Sequence, residues 1–341
     1  MKALVLEKIC NLEKEIFPLK ETETDIPVPG KHDVLVKVKT CGICHTELDE
    51  IEGRVAPSFF PIVPGHQVVG IVERCGEEVS KYKTGDRVGV GWIFSSCGKC
   101  GYCKTGNENL CPEFKATGRD ANGGYAEYIC VPQDSAYPVP DFFSDEEAAP
   151  LLCAGAIGYR SLKLTNIIDG QILGLTGFGA SGHQVLLIAK HLYPSSEIFV
   201  FARSEKEREL AMTLGANWAG DTNEKPPKLT DKIIDTTPVW RPVVEALRYL
   251  KPSGRLVINA IRKEDRDKDY LLNLNYHDHL WMEKEIKSVA NITRSDIAEF
   301  LLLAAALKLK PVVTTVNLNE VNKALLEIKN GKSQGAKVLI F

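Results

Sequence analysis

From residue 1 to about 150 the apolar positions fall in short runs broken by Gly and Pro: DVLVKVKTC, QVVGIVERC, RVGVGW and YAEYICVP. Alternation of apolar and polar positions, rich in β-branched residues, predicts strands, and their succession predicts an antiparallel, barrel-like β-rich domain. After Pro150 the rhythm changes. A short apolar strand from Gln171 to Thr176 leads into GFGASG, then an apolar helix HQVLLIAKHL, the strand IFVFAR and a charged helix from Ser204 to Leu214 that ends at Gly215. DKIIDTT, PVVEALRYL, RLVINAI and IKSVA continue the alternation, which predicts an α/β domain with a doubly wound parallel sheet. From about Asn291 the helix SDIAEFLLLAAALKL and the closing segment EVNKALLEIKNGKSQGAKVLIF are expected to return to the first domain. The expected division is residues 1–152 with 291–341, and residues 153–290. No internal repeat or low-complexity tract interrupts it, and YHDHLWMEKE shows no period.

With 341 residues, 44% hydrophobic and 26% charged, the chain can bury two cores. Its formal charge of −3 and lack of a basic run exclude the electrostatic footprint of a nucleic-acid binder. No apolar stretch is long enough to span a bilayer, and the start, MKALVLEKICNLEKE, carries acids where a signal peptide would be apolar. A cytoplasmic protein is expected. The ten cysteines then read as thiols and metal ligands, with Cys10, Cys75 and Cys130 as thiols packed in strands.

Cys97, Cys100, Cys103 and Cys111, spaced C-x₂-C-x₂-C-x₇-C, suit a structural zinc, which takes four thiolates in a tetrahedron. Gly177, Gly179 and Gly182 form G-x-G-x-x-G between a strand and a helix. This is the Rossmann context in which a tight turn, a close backbone approach and free helix amides bind a pyrophosphate. About twenty residues on, an NAD site would carry an acid at the end of the next strand. Here Ala202 takes that place and Arg203 and Ser204 follow. A guanidinium suits a 2′-phosphate, so NADP(H) is expected to be preferred over NAD(H).

Cys44, His66 and Cys153 lie in CGICHTELDE, PGHQVVGIVERCGEEV and LLCAGAIGY. Two thiolates and an imidazole are the donors of an open zinc site. With these segments, the four-Cys lobe and the Gly-rich turn in this order, the chain resembles the zinc-dependent alcohol dehydrogenases of the medium-chain dehydrogenase/reductase family. The resemblance implies a GroES-like catalytic domain, two zinc ions per chain, and catalytic ligands at Cys44, His66 and Cys153. It places Glu47 as the acid that orients the ligand histidine, Thr46 as the hydroxyl at the substrate oxygen, Asp49 at the end of a proton relay, and His45 near the cofactor pyrophosphate. Cys41 matches a cysteine that does not bind zinc.

Three positions depart from the family pattern: Gln67 where Glu is usual, Asp49 in place of a relay histidine, and Ile157 in place of a hydroxyl residue. The activity implied is reversible hydride transfer between a small alcohol and the nicotinamide, with Trp92, Ile93 and Phe94 in or behind the substrate wall. A polyol or sugar dehydrogenase and a non-catalytic zinc module are the alternatives. The family also implies a homodimer or homotetramer joined along the edge near Glu285 to Ala290.

Overall fold

A computed structural model describes residues 1–332 and 335–341, so residues 333 and 334 of the closing segment lie outside the described residues. The chain divides into two compact units, Met1–Ala156 with Ile292–Phe341, and Ile157–Asn291.

The first unit is organised by the long strand Asp33–Ile43, which pairs antiparallel with Val68–Cys75, Tyr128–Pro132 and Ala336–Ile340. Its alternation works as the pattern predicts. Val34, Val36 and Val38 are buried while Lys37 and Lys39 face solvent. Register shifts between Leu35 and Val36 and between Val38 and Thr40 bend the strand and tighten its twist. Gly70 lets Val68–Cys75 cross closely, since a Cβ there would lie 2.3 Å from the Lys37 carbonyl oxygen. Arg87–Val90 and Ala136–Pro138 extend the sheet antiparallel. One pair departs from the antiparallel expectation: Val313–Val316 lies parallel to Ala336–Ile340 at the far edge.

The strands Lys2–Leu6 and Leu19–Glu23 form a separate antiparallel pair, and the helix Val321–Lys329 is fastened to it. Asn322, buried, accepts from the Leu19 amide at 3.1 Å and donates to the Leu19 carbonyl at 2.9 Å.

Around Pro150 the structure is more continuous than the change of rhythm suggests. Helix Asp145–Pro150 runs through a π-turn, Leu151–Gly155, into helix Ala156–Thr165. Proline has no N–H for the helical ladder and its ring crowds the preceding turn. The ladder widens there and Cys153 is presented from the wide turn.

The second unit is a six-stranded parallel sheet in the order Trp218–Gly220, Glu197–Phe201, Ile172–Thr176, Thr230–Asp235, Leu250–Ile258, Glu285–Ser288. Ile172–Thr176 is buried at every position, as expected of a strand covered on both faces. The three-residue strand Trp218–Gly220 is too short to show a period; Trp218 holds it by edge-to-face contacts with Phe199 at 6.0 Å and Phe201 at 5.1 Å. Helix Glu205–Thr213 follows Ser204 and stops before Gly215, whose φ of +96° suits glycine.

Replacing Asn322 by Leu would leave the buried amide and carbonyl of Leu19 without partners. Asn322→Leu is expected to lower the stability of the first unit by about 2 kcal/mol, read as a shift in its urea midpoint. An unchanged midpoint would show that this bridge contributes nothing.

Candidate metal centres and nucleotide turn

Cys44 caps the helix His45–Ile51, its sulfur accepting from the Thr46 amide at 3.4 Å. Three residues into that helix, Glu47 turns back so that one carboxylate oxygen accepts from the Cys44 amide at 2.8 Å. The other lies 2.6 Å from His66 Nδ1, and both side chains are buried. A carboxylate on Nδ1 leaves Nε2 as the donor nitrogen. Nε2 points to the Cys44 sulfur at 3.9 Å, and the donor atoms of Cys44, His66 and Cys153 all lie within 4.8 Å of one another.

Zinc bonds to sulfur and nitrogen in a tetrahedron put such atoms about 3.6 Å apart, so the three donors fit zinc with a fourth position open. Burial alone would lower the His66 pKa, but the charges of Glu47 and Cys44 outweigh it and raise it well above the usual value. The hydrogen bond with Cys153, then burial and Glu47, hold the Cys44 thiol well above its usual range. A dication favours the thiolate and the neutral imidazole, so metal binding at such a site releases protons.

The neighbours differ in their positions. His45 is exposed and Thr46 half-buried. Asp49 is buried and accepts from Arg54 Nε at 2.5 Å; Arg54 also pairs with Glu52, and Glu52 with Lys329, each at 2.6 Å. The Gln67 side chain packs over Gly42, where a Cβ would meet its Oε1 at 2.5 Å. Ile157 is partly buried, and its carbonyl accepts from Ser161 Oγ at 2.7 Å. Ile93 is fully buried and pairs with Ala116. Trp92 packs on Phe114 with Arg119 over its ring, both at 5.2 Å.

Glu50 gave no sequence signal. It is buried, and burial together with the Glu47 charge holds its carboxyl well above the usual range.

In the four-Cys lobe, Cys103 Sγ lies 3.9 Å from that of Cys97 and 3.6 Å from that of Cys100. All four sulfurs lie within 4.8 Å of one another. The sulfur edge of a zinc tetrahedron is about 3.8 Å. Amides converge on the sulfurs: Cys97 N on Cys111 and Cys100 N on Cys97 at 3.4 Å each, and Glu113 N on Cys111 at 3.3 Å. The amides of Lys99 and Cys100 lower the Cys97 thiol to about 6. The lobe is tied to the helix Arg294–Ala306 through buried Glu108, which accepts from the Arg294 amide at 2.7 Å.

At the nucleotide turn, Gly177 has φ +76° and Gly182 passes the turn closely, its Cβ position 3.0 Å from the Gly177 carbonyl oxygen. Beyond its chain neighbours, no atom of the described residues lies within 4 Å of a Cβ built on Gly179, and its backbone is extended. Neither packing nor conformation requires glycine there, whereas a phosphate approaching the backbone does. Gly179 caps a thirteen-residue helix with no side-chain cap bond, which leaves its first amides for an anion. Arg203 and Ser204 are exposed, and no hydrogen bond or ion pair holds the Arg203 guanidinium among the described residues.

The family profile described as "Alcohol dehydrogenase GroES-like domain" matches residues 30–141. The chain is 40% identical over 329 residues to "Probable alcohol dehydrogenase AdhA" of Mycobacterium tuberculosis (strain CDC 1551 / Oshkosh), covering 95% of this chain and 93% of that protein. Among solved structures it resembles a cinnamyl alcohol dehydrogenase from Sorghum bicolor, with TM-score 0.82, 27% identity, and coverage of 99% and 97% of the two chains. It also resembles a thermostable alcohol dehydrogenase from Pyrobaculum aerophilum described as cobalt and zinc bound, with TM-score 0.83, 25% identity, and coverage of 100% and 99%.

Glu47→Ala removes the partner of the Cys44 amide and frees the His66 ring. Zinc affinity at this centre is expected to fall roughly ten- to a hundredfold, measured by competition with a chromophoric chelator. Parental affinity would mean that the carboxylate does not orient the ligands.

Proposed function

The chain belongs to the zinc-type medium-chain alcohol dehydrogenase family, and from that premise we propose that it is a zinc-dependent alcohol dehydrogenase that prefers NADP(H). The observation that carries this reading is the Cys44, His66 and Cys153 donor set, its donor atoms within 4.8 Å of one another and backed by Glu47. When bound, zinc supplies Lewis acidity to the alcohol oxygen and the nicotinamide takes up the hydride.

The chain's own residues do the rest. Glu47 fixes the imidazole with Nε2 toward the metal position. The Thr46 hydroxyl, two residues after Cys44, is the proposed acceptor of the alcohol proton, with Asp49 as the last member of the relay and Arg54 as its counter-ion. His45, exposed beside Cys44, is the proposed pyrophosphate contact. The four-Cys lobe would hold a second, structural zinc.

Coenzyme choice rests on the end of the strand Glu197–Phe201. Ala202, buried there, offers the ribose no carboxylate, and the exposed Arg203 offers a 2′-phosphate a guanidinium. Ser204 is the second proposed contact. For assembly, Glu285–Ser288 lies at the sheet edge with every residue exposed, and pairing it with its own copy would satisfy free strand groups in a closed dimer.

Arg203→Ala should weaken NADPH by roughly ten- to a hundredfold, since a guanidinium–phosphate pair contributes about 1.5 to 3 kcal/mol, and should hardly change NADH. Equal efficiency with both coenzymes in the parental protein would sink the preference. Two zinc ions per chain are expected in native mass spectrometry. Cys153→Ala should lose turnover and one of those ions while its far-ultraviolet circular dichroism holds. Retained turnover would reject the ligand assignment.

A further inference from the structure

The parallel sheet changes winding direction between Ile172–Thr176 and Thr230–Asp235: the chain moves outward through Glu197–Phe201 and Trp218–Gly220, then returns to the other side of Ile172–Thr176. At such a point the loops leaving two neighbouring strands part, and the crevice between them takes the ligand. Beneath this crevice lies a buried ion pair that no function described above uses. Asp235 ends its strand fully buried, and Lys263, 7% exposed, contacts it.

Every strong donor and acceptor of the pair is engaged. Besides Asp235 Oδ2, the Lys263 ammonium donates to the carbonyls of Thr237 at 2.8 Å and Val239 at 2.9 Å. Asp235 Oδ1 accepts from Thr176 Oγ1 at 2.6 Å and Thr237 Oγ1 at 2.8 Å. Thr176 is the residue before Gly177, and Thr236 Oγ1 donates to the Thr176 carbonyl at 3.0 Å. A Cβ on Gly177 would come within 2.9 Å of both Thr236 Oγ1 and Thr237 Cγ2. The loop after Asp235 therefore rests on the Gly-rich turn.

The loop that carries Lys263 is closed onto the same segment. The Asn259 amide donates to the Asp235 carbonyl and the Glu264 amide to the Pro238 carbonyl, each at 2.7 Å. Asp267 accepts from the amides of Trp240 at 2.9 Å and Arg241 at 2.8 Å.

A buried ion pair is a weak device for stability, because desolvation offsets its attraction and an uncharged replacement is often no less stable. It does fix geometry. We propose that Lys263 is a positioning residue for the dinucleotide: paired with Asp235, it holds the Gly177 turn and the loop 236–240 at the spacing that the coenzyme bridges. This rests on the reading of Gly177, Gly179 and Gly182 as a dinucleotide turn.

The test compares Lys263→Met with the double variant Lys263→Met, Asp235→Asn. The single variant strands a buried carboxylate and is expected to lose stability. The double variant removes both charges and should recover the parental unfolding midpoint. Dissociation constants for NADH and NADPH, titrated by nicotinamide fluorescence well below that midpoint, should rise roughly ten- to a hundredfold in the double variant, because small displacements of a binding group cost this much. In steady state the loss should fall on the coenzyme KM and leave the alcohol KM unchanged. If the double variant bound both coenzymes as the parent does, or if its alcohol KM moved as far as its coenzyme KM, the proposal would be overturned. A parental protein that bound neither coenzyme would instead remove the dinucleotide reading, and this proposal with it.

Discussion

The candidate metal centre depends on one buried carboxylate facing two ways. Glu47 takes the Cys44 amide on one oxygen and His66 Nδ1 on the other, so the same group sets the start of a helix and the tautomer of a ligand from a different part of the chain. A buried carboxylate is costly unless its lone pairs are used. Here one oxygen holds the Cys44 amide and the other contacts the His66 ring, so the burial of Glu47 and the convergence of the donors go together.

The two proposed metal sites solve the same electrostatic problem by different means. In the lobe Cys97–Cys111, backbone amides point at the sulfurs of Cys97 and Cys111 and favour their thiolates. That suits a closed site whose task is to hold a loop. At Cys44, His66 and Cys153 a charged side chain supports the imidazole, and Cys153 comes from a π-turn rather than a regular helix. Such wide turns are frequent at functional sites, because they turn a residue out of the helical register.

What could be read along the chain follows the range of each interaction. The four-Cys lobe is local in sequence, so its spacing alone identifies a tetrahedral site. The turn at Gly177 is likewise one segment between a strand and a helix. Strands such as Asp33–Ile43 show their burial as alternation. The Cys44, His66 and Cys153 set became legible through family resemblance, because its members are far apart and no local period links them. Other features left no trace. Pro150 reads as a boundary, and only the three-dimensional path shows the helical run continuing through it. The Asp49–Arg54 pair, the buried Glu50 and the Lys263–Asp235 network depend on which face each side chain finds after folding. A charged residue in a polar stretch looks the same whether it ends in solvent or beneath a crevice.

The first unit is assembled from two stretches of chain separated by the whole of the second. Its central strand Asp33–Ile43 has Ala336–Ile340 as a neighbour, and Leu19 and Glu52 are fastened to the helix Val321–Lys329. The second unit is one continuous stretch. During synthesis the order of emergence and the order of completion therefore part company. Residues 44, 66 and 153 leave the ribosome before the second unit, yet the long strand of their own unit lacks its neighbour Ala336–Ile340 until after the second has been made. The second unit has all its strands by residue 288, and domains fold as units while synthesis proceeds. The second unit is therefore positioned to fold first, with the first unit incomplete until Ala336–Ile340 has been made.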